Sequence, residues 1–600
     1  MAERLAIREQ AAEEKRFAHE NTKDSLKEQI DRHEVISFDI FDTLLCRKVW
    51  EAEDVFELVN ARALEEGMRL TDFRACRIRA QDELGLTNPD LKKIYDNFQK
   101  ITGVDDLVRK RLIQLELETE FSVLIPREAM MDIYRYALEK KKRVYLVSDM
   151  YLTQSMLKKI LEKNRISLYE KVIVSCECKK LKMQGLFEEL LKSEKERKIL
   201  HIGDHEIYDG VCAKEMGIDT FLVCTPKELL NRSSWSELLY ERPQYMNDRS
   251  LIGLSISCMF NDPFKLSGGR KLPQVSDCYQ MGYVLIAPII TVFMNWFLKK
   301  IKNRGYDAIL FAARDGFLIQ KLYNSAVKAL KWFDMPDGIY FQTSRKAAVN
   351  SDMTNEAVIN MLIGMRDILS PEEVLVQLFG LKREEIEAFP EDEDWDIEIY
   401  KYVWKHKEQI FQKSSEMRHS YFKYMGQLGL KIGGKYAFYD FVSSGTCQKA
   451  LAKLIPFELN GLYFGWNSDE DMGDYSIEAM MTAGESFFMK YYKMLELFLT
   501  SDKPSLDSFD GSGRPILTQE LRTKEEIERI LTVQKAIADY FEEYITNLYI
   551  SDGEMNLKWA DRILNCMVET DASNLDYDLY DLILTDDWNR MSRELRELVT

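Results

Sequence analysis

Short apolar runs alternate with amphipathic stretches along the first third of the chain. Val35-Ile-Ser-Phe38 has the length and composition of a strand buried on both faces. Residues 48–125 then carry apolar positions at three- and four-residue spacing, in Val55-Phe-Glu-Leu-Val59 and from Leu107 to Leu117. With no buried-strand run among them, they predict a helical insertion. The strand pattern resumes at Arg143–Val147, Lys171–Val174, Lys198–Ile202 and Asp219–Val223. Helices are expected over Arg127–Lys141, begun by Pro126, and over Gln154–Asn164 and Leu186–Lys192. Strands alternating with helices predict an α/β fold with a parallel, doubly wound sheet over residues 31–225. Residues 1–30 read as one charged helix, a solvated lead-in with a weak apolar stripe.

The pattern recurs further on. Residues 226–250, with Pro226, Ser233, Ser234 and Pro243, read as a linker. A second α/β domain is expected over 251–515, with strands at Asp307–Phe311, Gly338–Phe341, Lys435–Tyr439 and Leu462–Phe464. Its helical insertion, 354–430, contains the helix start Ser370-Pro-Glu-Glu373. Residues 516–600 read as an acidic helical region that packs Trp559 and Trp588 onto the second domain. Met281–Leu298 approaches the ~18-residue threshold for a membrane-spanning helix. Pro288, read as a helix start, and Asn295 favour a buried helix instead, and no span is expected.

Length and charge narrow the classes. Six hundred residues exceed one core, so two to four domains of ~100–200 residues are expected. A net charge of −18 disfavours non-specific nucleic-acid binding, which needs clustered Lys and Arg. The first residues show no secretory pattern, and ten scattered cysteines suit reduced thiols, so a cytoplasmic protein is expected. Cys176 and Cys178 have no second pair beside them, and no zinc site is expected there.

Chemistry gathers at the strand ends, where parallel α/β sheets bind ligands. After the first strand come Asp39, Asp42 and Thr43; after the second, Ser148 and Asp149. Lys182 lies shortly past the third, and Asp204 and Asp209 follow the fourth. Phosphoryl transfer through an aspartate needs this set. A carboxylate attacks, a hydroxyl and a lysine hold the transferring oxygens, and further carboxylates hold Mg2+.

Phe38-Asp-Ile-Phe-Asp-Thr-Leu44, Val147-Ser-Asp-Met-Tyr-Leu152, Lys182 and Gly203-Asp-His-Glu-Ile-Tyr-Asp209 resemble the four motifs of the haloacid dehalogenase superfamily. The insertion at about 48–125 resembles that superfamily's helical cap. The resemblance implies Asp39 as nucleophile, with Ser148 and Lys182 as ligands of phosphate oxygens. It implies Mg2+ held by Asp39, Asp204, Asp209 and the Phe41 backbone carbonyl. One place departs. Phosphatases of the superfamily carry a second Asp, the general acid, where this chain has Phe41; Asp42 stands one residue late. Dehalogenases also carry an aromatic residue there but need no Mg2+, so the Asp204/Asp209 pair favours phosphate-ester hydrolysis.

In the second domain Arg314, Arg345, Asp440, Ser444 and Thr446 are candidate ligand-binding residues. A Ser-Ser-Gly-Thr turn entering a helix suits an anion, and arginines can clamp phosphate or carboxylate. Asp440–Thr446 loosely resembles the ribose-phosphate loop of phosphoribosyltransferases; turn-forming residues and a capping Asp account for it equally well. The whole arrangement resembles large bacterial proteins of the haloacid dehalogenase type found beside or fused to glycosyltransferases of surface-polysaccharide synthesis. That implies a phosphorylated small-molecule substrate, such as a sugar phosphate, and a glycosyltransferase partner. Two further classes stand beside the hydrolase: a binding or scaffold protein in glycan assembly, and a transferase seated in the second domain.

Overall fold

The computed structural model describes residues 2–195, 197–353, 356–364, 369–390, 394–454, 457–468, 476–482, 487–551, 553–568, 579, 582–586 and 591–599. The chain divides into two compact units. The first takes Met1–Ile289 and Asp539–Asp576, the second Ile290–Ala538 and Tyr577–Thr600.

The first unit is built on a five-stranded, wholly parallel sheet. Its strands are β1 (Val35–Phe38), β4 (Arg143–Ser148), β5 (Lys171–Val174), β6 (Ile199–Gly203) and β7 (Asp219–Leu222). Their order is β5-β4-β1-β6-β7. Central β1 is buried at all four positions, which is why it reads as an unbroken apolar run. The chain moves outward from β1 through β4 to β5, then restarts on the other side at β6. The crevice beside β1 is therefore the sheet's switch point. Val35, Tyr145, Val147, Ile173, Phe187 and Ile199 form part of the core under one face.

The insertion after β1 leaves and returns through an antiparallel ribbon, β2 (Leu45–Arg47) against β3 (Leu124–Pro126). Between them lie α3 (Asp54–Glu65), α4 (Phe73–Asp82), α5 (Leu91–Thr102) and α6 (Asp106–Val123). Asp90 and Asp105 cap α5 and α6, accepting from the amides of Lys93 and Val108. Arg77 and Glu116, both fully buried, lock α4 to α6 through paired hydrogen bonds of 2.9 and 2.8 Å, and the Tyr95 hydroxyl donates to the same carboxylate at 2.7 Å. Arg77→Ala is expected to destabilise this cap by about 3–5 kcal/mol, because it leaves a buried carboxylate unpaired. Urea unfolding followed by exchange of cap amides reads the loss.

Four sequence expectations change here. The N-terminal stretch is two helices, α1 (Ala2–Phe17) and α2 (Lys23–Asp31), parted by a Thr22 capping box. It is no solvated lead-in, since Ala11, Lys15 and Ala18 are buried. Residues 226–250 are not a linker. Pro226 opens the helix Pro226–Arg232, where a missing amide costs nothing, and Met246–Met259 is a helix buried on nearly every side. Pro288 does not start its helix. It follows a π-helical turn, Gly282–Ile286, whose wider bore accommodates the proline ring. Residues 539–576 belong to the first unit: the Tyr540 hydroxyl donates to the Leu251 carbonyl at 2.7 Å, and the Asn556 amide donates to Asp248. Trp588 lies outside the described residues.

Among the described residues one helical run, Cys278–Ile301, is long and apolar enough to cross a membrane, and 89% of its window is buried inside the protein.

The second unit repeats the architecture with β8 (Ala308–Ala312), β9 (Asp337–Phe341), β10 (Lys435–Ser443), β11 (Glu458–Trp466) and β12 (Ile477–Thr482). All pair in parallel, in the order β12-β11-β10-β8-β9. β10 runs past Tyr439 because Phe441 and Val442 extend its strand-forming run. Asp440 thus lies inside the strand, opposite Tyr463, and not at its end. Residues 583–586 and 591–594 form an antiparallel pair where helix was expected.

Candidate functional site

Asp39 is the first residue past β1, and its amide still donates to the Ile202 carbonyl of β6 at 2.8 Å. Lys182, Asp204 and Asp209, which follow β5 and β6, come to it, and Ser148 stands at the end of neighbouring β4. The Lys182 ammonium bridges Asp39 Oδ1 at 2.6 Å and Asp209 Oδ1 at 2.5 Å. Ser148 closes β4 and is buried. Asp204 directly follows β6, and its Oδ1 accepts from the Thr43 hydroxyl at 3.3 Å. Asp149 works at one remove: both its oxygens accept from the Lys182 backbone amide, at 3.0 and 3.1 Å, which fixes the loop carrying the lysine. Asp39, Lys182 and Asp209 therefore meet directly, with Asp149 and Asp204 beside them.

Burial sets the charges. It pushes the Asp39 carboxyl up to about 7, more than the Lys182 ammonium brings it down. Burial alone would also raise Asp209, but Lys182 and the His201 hydrogen bond hold that carboxyl far below the usual range. Lys182 would be discharged by burial were it not for Asp209 and Asp39, which keep its ammonium well above the ordinary lysine range. Asp204 is pushed well up, by burial first and then by the neighbouring carboxylates of Asp209, Asp39 and Asp42. Asp39 and Asp209 share the Lys182 ammonium, and Asp204 stands close to both carboxylates.

Which of these carboxylates could hold a Mg2+ ion follows from their own hydrogen bonds. Both oxygens of Asp209 are engaged within the protein: Oδ1 by Lys182 and His201, Oδ2 by the His205 amide at 2.9 Å. Asp209 thus holds Lys182, while Asp39 and Asp204 are the other carboxylates of the centre. No group of three or more His, Cys, Asp or Glu side chains is arranged as a metal site among the described residues. Two carboxylates with a carbonyl and waters still suit Mg2+, which seldom takes an all-protein cage.

Asp42 is turned by its backbone. Its φ of 56° places it in the left-handed region, its amide donates to Leu45 at 2.6 Å, and its carbonyl accepts from Arg127 at 2.5 Å. Burial raises its carboxyl, and Arg47 is the first cation it faces. Phe41 lies under that same Arg47, whose guanidinium stands 4.8 Å above the ring.

Three supporting residues escaped the sequence reading. His201, fully buried in β6, joins the Ser37 hydroxyl at 2.9 Å to Asp209 at 3.0 Å. A lone polar residue inside an apolar strand was its only signal. Lys15 reaches from α1 to the Asp204 and Val223 carbonyls and the Glu228 carboxylate. Fully buried Arg127 ties Asp42 to the Cys224 carbonyl at 2.8 Å. No sequence signal marks either. Gly203 has one: a Cβ there would stand 2.3 Å from Asp209 Cγ. Gly203→Ala is expected to dislodge Asp209, costing about 1–3 kcal/mol of stability and lowering activity; thermal unfolding alongside turnover checks both.

In the second unit Arg314 follows β8 and Arg345 follows β9, while Ser444 and Thr446 lie beyond the end of β10, which contains Asp440.

The first unit is a parallel α/β domain with lysine-bridged carboxylates at its switch point. No family model and no curated protein matches the chain. Among solved structures it is similar to a hydrolase from Streptococcus pneumoniae TIGR4, at 20% identity over 33% of this chain and 97% of that one, with a TM-score of 0.22.

Proposed function

We propose that the first unit is a Mg2+-dependent phosphohydrolase of the haloacid dehalogenase type, acting on a small phosphorylated metabolite. The observation that carries this reading is the Lys182 ammonium seated between Asp39 and Asp209 at the switch point, with Asp204 close by. In the first half-reaction an Asp39 oxygen bonds to phosphorus as the ester P–O bond breaks, and the departing oxygen takes up a proton. In the second, water attacks phosphorus, phosphate leaves and the Asp39 carboxylate is restored. Lys182 and Ser148 hold the phosphoryl oxygens throughout. Asp39, Asp204 and the Phe41 carbonyl would hold Mg2+, which when bound offsets the repulsion between anionic nucleophile and anionic substrate. Asp42 is the carboxyl that follows Phe41 in the same loop and is the candidate general acid; burial raises it and Arg47 opposes that rise.

The test is phosphate release from an activated aryl phosphate and a panel of sugar phosphates, with Mg2+ and with EDTA. Turnover that needs Mg2+ is the expected result. No turnover on any substrate would sink the hydrolase reading.

One observation favours a second reading, a phosphate-binding scaffold in glycan assembly with a glycosyltransferase partner: Phe41, packed under Arg47, occupies the place of the usual general acid. Metal-dependent binding of phosphate without turnover would select it.

A further inference from the structure

The second sheet reverses direction between β8 and β10, since β9 lies outside β8 while β11 and β12 continue beyond β10. In an open parallel sheet the crevice at such a reversal, at the carboxyl ends of the strands, is where ligands sit. Two loops flank it. Ala313, Arg314 and Asp315 follow β8; Ser444 and Gly445 follow β10 and lead into the nine-residue helix Thr446–Leu454.

Cations and hydroxyls converge on these loops. Arg314 sits in the left-handed region, with φ of 72°, and donates from Nε to the Thr500 hydroxyl and from Nη1 to the Ser505 hydroxyl, each at 3.0 Å. Its amide donates to the Tyr340 hydroxyl at 2.9 Å. Arg345 is the cation facing Asp440, Cys447 and Tyr492. The Ser444 and Thr446 hydroxyls lie 3.1 Å apart at the helix start.

Tyr439 points to something the protein does not supply. Its side chain is fully buried in β10, and its hydroxyl has no hydrogen-bond partner among the described residues. Burial first, and then the carboxylates of Asp315 beyond β8 and Asp440 in β10, push this hydroxyl's pKa well up. An unpaired buried hydroxyl is costly, so such groups are normally paired.

We infer that the crevice between β8 and β10 binds a small molecule bearing both a phosphate and hydroxyl groups. The phosphate lies on Arg345 and the start of the helix Thr446–Leu454, where a guanidinium and the first-turn amides favour an anion. The hydroxyls lie on Asp440, Asp315 and Tyr439, because carboxylates repel phosphate and accept from hydroxyls. This site is independent of the Asp39 centre and stands whether or not that centre hydrolyses anything.

Hydrogen–deuterium exchange on the full chain, without added divalent metal, tests it with three probes: glucose 6-phosphate, inorganic phosphate and glucose. Glucose 6-phosphate is expected to slow exchange in peptides covering 313–317 and 443–449. Inorganic phosphate should protect 443–449 alone, and glucose neither. Arg345→Ala should weaken the glucose 6-phosphate effect by about tenfold or more, the worth of a charge-assisted hydrogen bond. Arg345→Lys, which keeps the charge but loses the fork, should weaken it less. Should Arg345→Ala fail to fold by near-ultraviolet circular dichroism, Ser444→Ala with Thr446→Val serves in its place. Absence of protection by either phosphate probe, or protection confined to 148–150, 181–184 and 203–209, would overturn the proposal. So would unchanged binding in a folded variant. Equal protection by phosphate and glucose 6-phosphate would overturn its hydroxyl half.

Discussion

Asp39→Asn is expected to lower Mg2+-dependent phosphate release from an activated aryl phosphate by about 10^4-fold or more, the scale seen when a covalent nucleophile is removed. The amide has the shape of the carboxylate and little nucleophilicity. Folding should survive the change, because burial already raises Asp39 to about 7 and a neutral group there costs little. Lys182 also keeps Asp209 as its partner. Single-turnover phosphate release, with thermal unfolding of the same sample, separates chemistry from folding. Retention of turnover in a folded variant would mean that another group attacks phosphorus.

Lys182→Met should act on both stability and chemistry. It removes the ammonium that holds the buried Asp209 carboxylate ionised, and an uncompensated carboxylate of that kind costs about 3–5 kcal/mol. Adding Asp209→Asn to the variant should recover most of the stability and none of the phosphate release. The double variant tells the two roles of the lysine apart. Equal stability of Lys182→Met and wild type, measured by denaturant unfolding, would show that the ammonium does not balance this charge.

The sheets and the first cluster were legible in sequence for a physical reason. Parallel strands buried on both faces appear as unbroken apolar runs, and ligand groups collect just past their ends. β1, β4, β5 and β6 announce themselves this way, and so do Asp39, Ser148, Lys182 and Asp204. What sequence did not disclose depends on partners far along the chain. Lys15 looks like any solvated lysine until the Asp204 and Val223 carbonyls, about two hundred residues away, are placed beside it. The helix Met246–Met259 carries small polar residues among its apolar ones and reads as neither core nor surface. Tyr540 and Trp559 are plainly core residues, but nothing local says which core, and the first unit claims them. Asp440 was misplaced by extent alone, because the strand ends only where the serines begin. Asp209 was read as a metal ligand by position; its hydrogen bonds also give it a second task, anchoring Lys182, which position did not disclose.

The ribbon of β2 and β3 has a consequence for how the first unit is assembled. Its three residue pairs bring positions 47 and 124 side by side. The entropy of closing the long excursion between them is therefore met at the neck and grows only slowly with length. Strand β4 can then dock on β1 as though the intervening helices were a short turn. Substrate-facing helices could lengthen, shorten or be exchanged during descent without disturbing the register of the sheet. The centre at Asp39 and the shape of what reaches it are free to evolve separately.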